Sequence, residues 1–175
     1  MISNTTPFNV LCFGGSTGSA TANGAGGTGA YTYSWSNLQG TQTATGLSQG
    51  NYTVTVTDNN GCTSVSPVTI LQPTPLLIPV TGDTACSGQS GTLSAAASGG
   101  TGAYTYLWNP GGVTGASVSV SPPTTTNYTV TVTDNNGCTN TAMANMVINP
   151  SPTAAFIAPN VCINNSTTFT NQSEN

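Results

Sequence analysis

Few side chains in this sequence could do chemistry, and most of those that could recur at regular intervals. Cysteines stand at 12, 62, 86, 138 and 162 of 175 residues, and the carboxylates are Asp58, Asp83, Asp134 and Glu174. Lys, Arg and His are absent. Cys12 with Cys62, and Cys86 with Cys138, enclose loops of similar length at equivalent places. That spacing predicts two disulfides, one within each half of the chain, and hence an oxidising compartment. Closing a loop of about 50 residues stabilises a fold by roughly 4 kcal/mol in the chain-entropy treatment. Cys162 is left over, either unpaired or bonded to a second chain. No two cysteines form a CxxC pair and no histidine accompanies them, so no zinc site is expected.

The carboxylates offer less. In Asp58-Asn59-Asn60-Gly61 and Asp134-Asn135-Asn136-Gly137, the side chains of Asp58, Asn60, Asp134 and Asn136 could give oxygens to Ca²⁺. One carboxylate per loop is thin, and Asx-turn chemistry explains the run without a metal. Calcium is therefore the one candidate cofactor, and none is the expectation. Acid–base or two-carboxylate catalysis needs partners that no single half provides, so the chain is not expected to be an enzyme. A chain without cations cannot neutralise phosphates, which argues against nucleic acid as a partner. The polybasic route to a membrane surface is closed for the same reason, and no run approaches the ~20 apolar residues of a membrane span. Tyr31, Tyr33 and Trp35 could stack sugars if exposed, but such a row more often lines a core. Asp83-Thr84-Ala85 has the Asp-Ser/Thr-apolar pattern of bacterial O-glycosylation, with Thr84 as acceptor in a linker.

These residues are positioned by a repeat. Asn51–Thr63 returns unchanged at Asn127–Thr139, 76 residues later. Tyr52, Val54 and Val56 alternate with Thr53, Thr55 and Thr57, which puts an apolar row and a hydroxyl row on opposite faces of a strand. Two such copies mean two small β domains in tandem. In the first, strands are expected at Phe8–Cys12, Ser19–Asn23, Tyr31–Trp35, Thr41–Leu47, from Tyr52, and at Cys62–Leu71, with Pro67 marking an edge or a bulge. Residues 1–7 are expected to fray. In the second, Leu93, Ala95 and Ala97, then Trp108, Val118 and Val120, and Ala142–Ile148 mark the same order. Short strands without helical periodicity predict an all-β fold of tandem antiparallel sandwiches. An up-and-down walk through the strands would bring Cys12 and Cys62 to one pole, and Tyr52 to the place of a tyrosine corner.

The joints at Gln72-Pro73-Thr74-Pro75 and Asn149-Pro150-Ser151-Pro152 predict short stiff linkers that set the domains end to end. The domains are then 1–73, 74–150, and an incomplete third copy at 151–175. In that third copy Cys162 aligns with Cys86 and Ser166–Thr170 forms the second strand. Met1-Ile2-Ser3-Asn4 has neither the basic region nor the apolar run of a signal peptide. Met1 is therefore expected to be an introduced start or a residue inside a longer chain. The surface must be kept wet by Thr, Ser, Asn and Gly rather than by charge, which suits packing into an array or fibre.

Cys12-Phe13-Gly14-Gly15, Gly26–Ser36, Gly46-Leu47, Gly50 and Tyr52–Cys62 resemble the SprB-type repeat found in giant surface adhesins of gliding bacteria. Cys86-Ser87-Gly88, Ser121-Pro122 and Tyr128–Cys138 resemble the PKD-like and Ig-like repeats of the same long proteins. Ala154-Ala155-Phe156, Cys162 and Thr168-Phe169-Thr170 resemble the start of a PKD domain. The resemblance implies a secreted or cell-surface chain, exported by a type IX-like route and used in adhesion, gliding or filament building. It carries over no catalytic residue. Its partners would be neighbouring repeats of the same or identical chains, and surface glycans. The alternatives are a self-assembling fibre subunit completed by strand pairing between chains, and a carbohydrate-binding or spacer module of a secreted enzyme.

Overall fold

The computed structural model describes residues 2–157 and 166–173. Among these, every regular element is a strand. The first copy contains β1 (Ile2–Phe8), β2 (Gly18–Ala25), β3 (Thr32–Trp35), β4 (Thr43–Leu47), β5 (Gly50–Thr57) and β6 (Thr63–Ile70). The second contains β7 (Val80–Thr81), β8 (Asp83–Cys86), β9 (Gly91–Ala95), β10 (Thr105–Asn109), β11 (Val113–Thr114), β12 (Ser117–Val120), β13 (Thr126–Thr133) and β14 (Thr139–Asn149). Two-residue strands β15 (Phe156–Ile157) and β16 (Thr170–Asn171) follow.

By compactness the chain divides into two units. One comprises Met1–Ile78, Ala97–Thr105 and Val132–Asn140; the other comprises Pro79–Ala96, Tyr106–Thr131 and Thr141–Asn175. The first unit contains two three-stranded sheets, β1-β2-β4 and β3-β5-β6, with every pairing antiparallel. Strict alternation in β5 buries Val54 and Val56 and leaves Thr53, Thr55 and Thr57 on the other face, as the sequence predicts. Those valines pack with Ala20 and Ala22 of β2, Ala44 and Leu47 of β4, Trp35 of β3, and Val68 and Ile70 of β6. Tyr31, Tyr33 and Tyr52 are half-buried and pack against this core, so of the aromatic row Trp35 is buried and the two tyrosines lie at the core's margin. Trp35 stays hydrogen-bonded in burial, since its indole N–H donates to Thr41 O at 2.9 Å. Pro67 lies on β6, an edge strand, where a missing N–H leaves no ladder bond unmade.

Residues 1–7 depart from expectation. Rather than fraying, Ile2–Phe8 pairs along its whole length with β2. Its polar residues find partners across the sandwich edge. Ser3 Oγ lies 2.7 Å from Ser66 Oγ and 3.0 Å from Ser64 Oγ, and Thr5 Oγ1 donates to Pro67 O at 3.0 Å. A strand whose inward row is hydroxyl has no apolar period to betray it.

In the second unit β12-β9-β7 is antiparallel, and β8 closes a five-stranded sheet of order β11-β10-β13-β14-β8. β8 runs parallel to β14, pairing Val147 with Thr84 and Asn149 with Cys86. Leu93, Trp108, Val130 and Met146 are fully buried there. The third-copy segment pairs Phe156 with Asn171 and Ile157 with Thr170, so its strand begins at Thr170 rather than spanning Ser166–Thr170. Phe156 and Phe169 meet edge to face at 5.6 Å. Cys162 and Glu174 lie outside the described residues.

Candidate functional site

The identical Asp-Asn-Asn-Gly-Cys loops build the same device in each copy. Asp58 Oδ1 accepts from the N–H groups of Asn60 (3.0 Å) and Cys62 (2.8 Å), while Oδ2 accepts from Thr28 N–H (3.1 Å). Asp134 repeats this with Asn136 (2.9 Å), Cys138 (2.8 Å) and Thr101 (2.9 Å). Thr28 and Thr101 belong to the glycine-rich turns, so each carboxylate ties its own loop to the turn beside it. A tyrosine closes the turn from the other side. Tyr31 Oη donates to Gly26 O and Tyr104 Oη to Gly99 O, both at 2.6 Å. Both aspartates are buried. Each is ringed by N–H donors, which favour its ionised form. Among the described residues no three His, Cys, Asp or Glu side chains gather as a metal site.

Those donors hold the carboxyl groups below the ordinary value of 3.8. For Asp58 the N–H groups of Cys62 and Thr28 dominate. For Asp134 burial pushes upward, and the hydrogen bonds from Cys138, Thr101 and Asn136 outweigh it. Asp83 is lowered by Thr92 and Thr84. A carboxyl with a folded pKa below its unfolded one binds its proton more readily in the unfolded chain. The stability it contributes is complete above 3.8 and is lost as pH falls through the lower folded values. No histidine exists to titrate between. Thermal melts followed by tryptophan fluorescence should therefore coincide from about pH 7 down to about pH 5, then fall steeply below about pH 4. A melt that shifts between pH 7 and 5 would contradict this assignment.

The disulfide differs from expectation. Cys12 bonds to Cys138, with Cα atoms 5.6 Å apart and 126 residues between them in sequence. Cys62 and Cys86 are free and exposed. The predicted pairs Cys12–Cys62 and Cys86–Cys138 fail because each would span a strand's length. The chain before Cys12 lies beside the end of β6: Val10 N–H donates to Leu71 O, and Gly14 N–H to Gln72 Oε1. Cys62 precedes Thr63 at the start of β6, eight residues back, or about 26 Å along the strand. Likewise Cys86 lies opposite Asn149, the last residue of β14, whereas Cys138 precedes its first. The up-and-down walk misplaced the first cysteine of each copy, because the segment carrying it runs alongside the end of the last strand.

Around Cys138, Asn136 Nδ2 donates to Leu11 O at 3.1 Å. The proline-rich stretch after β6 is also fastened. Gly100 N–H donates to Thr74 O, Asn140 Nδ2 donates to Leu76 O, and Leu77 and Ser98 exchange both backbone bonds. Between these groups lies a cleft of about 430 Å³ lined by Cys12, Phe13, Pro75, Leu76, Asp134 and Asn140, among others. It holds no acid–base pair. Thr84 is exposed, and it lies within β8 rather than in the linker expected for it. Tyr52 Oη donates to Ser48 O at 3.2 Å, the bond of a tyrosine corner.

The SprB repeat model matches this chain twice. The matches cover residues 4–40 and 79–113, the opening part of each copy, including Cys12 and Cys86. The Asp-Asn-Asn-Gly-Cys loops lie beyond both SprB matches. SprB repeats occur in cell-surface proteins. Among solved structures, Sidekick-1 immunoglobulin domains 1–4 align at 19% identity over 64% of this chain, with a TM-score of 0.40. This chain spans 36% of that one. Fibronectin(III)-like modules of Clostridium thermocellum CbhA align at 13% over 84% of this chain and 95% of theirs, with a TM-score of 0.33. Titin domains I67–I69 align at 12% over 83% and 59%, with a TM-score of 0.39. A comparison with curated protein sequences finds no match.

Proposed function

We propose that this chain is a structural, non-catalytic repeat segment of an extracellular adhesin or filament, exported by a type IX-like route. The observation that carries the reading is the bond from Cys12 to Cys138, which ties the first cysteine of one sequence copy to the second cysteine of the next, within one compact unit. A bond of that kind transmits tension past the intervening strands, which suits a surface array under pull and serves no turnover. The partners are neighbouring repeats and surface glycans. An antibody raised against the chain should label intact cells of the source organism, and external protease should remove the label. Signal that appears only after lysis would overturn the reading.

One observation favours a fibre subunit as the second reading. Phe156, Ile157 and Phe169 are exposed on the two-residue strands β15 and β16 and beside them. A strand from a second chain laid along them would cover that surface. Sedimentation velocity across a concentration series distinguishes the two, because a fibre subunit grows with concentration in the presence of reductant and an array segment does not.

A further inference from the structure

The bond from Cys12 to Cys138 links the first cysteine of one copy to the second cysteine of the copy that follows. Both halves of this bond recur, with their local geometry, at the two free cysteines. On the first-cysteine side, Gly15 N–H donates to Cys12 O at 3.0 Å across a turn with Gly14 at φ +73°. At Cys86, Gln89 N–H donates to Cys86 O at 3.0 Å across a turn with Gly88 at φ +82°. On the second-cysteine side, Cys138 N–H donates to Asp134 Oδ1 and Cys138 O accepts from Asp134 N–H, at 2.8 and 3.0 Å. Cys62 makes the same pair of bonds with Asp58, at 2.8 and 2.9 Å. Cys62 and Cys86 are both exposed.

We infer that Cys86 and Cys62 are the two open halves of a disulfide ladder: Cys86 bonds the second cysteine of a following repeat, and Cys62 the first cysteine of a preceding one. Between two molecules of this chain the bond is Cys86 to Cys62, a repeat of the Cys12–Cys138 joint. The inference rests on the reading of the chain as a repeat segment and names the chemistry by which repeats join. In glutathione buffer, the Cys86 thiolate attacks oxidised glutathione, forming a mixed disulfide and releasing one glutathione thiol. The Cys62 thiolate then displaces the second, so two protein thiols become one disulfide and one oxidised glutathione becomes two reduced molecules. The Asn136 amide that donates to Leu11 O has its copy in Asn60, which would meet the carbonyl of Ala85 on the other molecule.

The test uses the full chain with Cys162→Ser throughout. In a glutathione buffer that keeps Cys12–Cys138 oxidised, this protein should form a linear ladder on non-reducing gels. Its digest, made with a protease that does not need Lys or Arg, should contain the Cys86–Cys62 peptide. Adding Cys62→Ser or Cys86→Ser should leave monomers in either preparation alone. Mixing the two should give one dimer band, at least tenfold above either preparation by itself. Asn60→Ala should slow the bond without abolishing it. Homodimers in either single preparation at the yield of the mixture, or no dimer in the mixture, would overturn the ladder. So would a digest containing Cys12–Cys62 and Cys86–Cys138, which would leave surface location untouched. Near-ultraviolet circular dichroism and retention of the Cys12–Cys138 peptide check that the variants fold. The Cys162→Ser protein with its remaining free thiols alkylated should stay monomeric.

Discussion

Pulled from its two ends, the oxidised chain should extend by far less than the reduced one. Cys12 and Cys138 are 126 residues apart in sequence. Once the sandwiches have opened under force, the bond holds that whole stretch out of the tensioned path. Only the residues outside it lengthen. Reduction should add about 430 Å of contour length, from 126 residues at roughly 3.3–3.6 Å each, less the short span of the bond itself. Single-molecule force spectroscopy with handles at both termini, with and without reductant, reads this difference directly. The alternative pairing within copies makes a distinguishable prediction. With Cys12–Cys62 and Cys86–Cys138 closed, the residues between Cys62 and Cys86 would extend even in oxidised protein, adding about 80 Å. An oxidised trace carrying that extra step, or one equal in length to the reduced trace, would rule out the Cys12–Cys138 bond. The effect is large because the bond joins residues far apart in sequence.

Two glycines that look interchangeable in sequence should differ sharply when replaced by alanine. Gly100 has φ +60°, and a Cβ there would lie 2.5 Å from Asp134 Oδ2. That oxygen cannot retreat without losing the N–H of Thr101, on which the turn depends. Gly137, in the loop itself, has φ +81°, and a Cβ added there would meet no atom within 4 Å. Gly137→Ala therefore meets the left-handed backbone cost alone, about 1–2 kcal/mol. Gly100→Ala adds overpacking against a fixed carboxylate and should cost about 3 kcal/mol or more in total. The first copy offers the same contrast between Gly27, whose Cβ would meet Asp58 Oδ2, and Gly61, which faces open space. Urea unfolding of the four single variants measures it. Equal losses at Gly100 and Gly137 would mean that the aspartate does not clamp the turn.

The strands were legible wherever burial on one face imposed a period of two. Val54 and Val56, and their counterparts Val130 and Val132, sit in the cores where alternation put them, and Trp35 and Trp108 are buried beside them. The edge position of Pro67 and the tyrosine corner at Tyr52 were equally readable, since each depends on local chemistry at a strand's start or rim. β1 was not legible. Its inward row is Ser3 and Thr5, held by hydroxyl bonds to the far strand, and composition alone makes such a segment look like a frayed end. The aspartates were visible as turn residues, but their clamp on the glycine-rich turn joins positions 30 and 33 residues apart and leaves no local mark.

The sequence by itself thus determined the tandem β-sandwich copies, their cores and their turns, because alternation and turn chemistry act between neighbours along the chain. The choice of disulfide partner belonged to the tertiary structure. Equal loop lengths made Cys12 with Cys62 attractive, and nothing in the spacing says which end of a strand a cysteine occupies. That was decided by a run of residues laid beside the end of β6, and by β8 laid parallel to β14. Strand direction and register fix which thiols come within bonding distance, and both are set by contacts between segments distant in sequence.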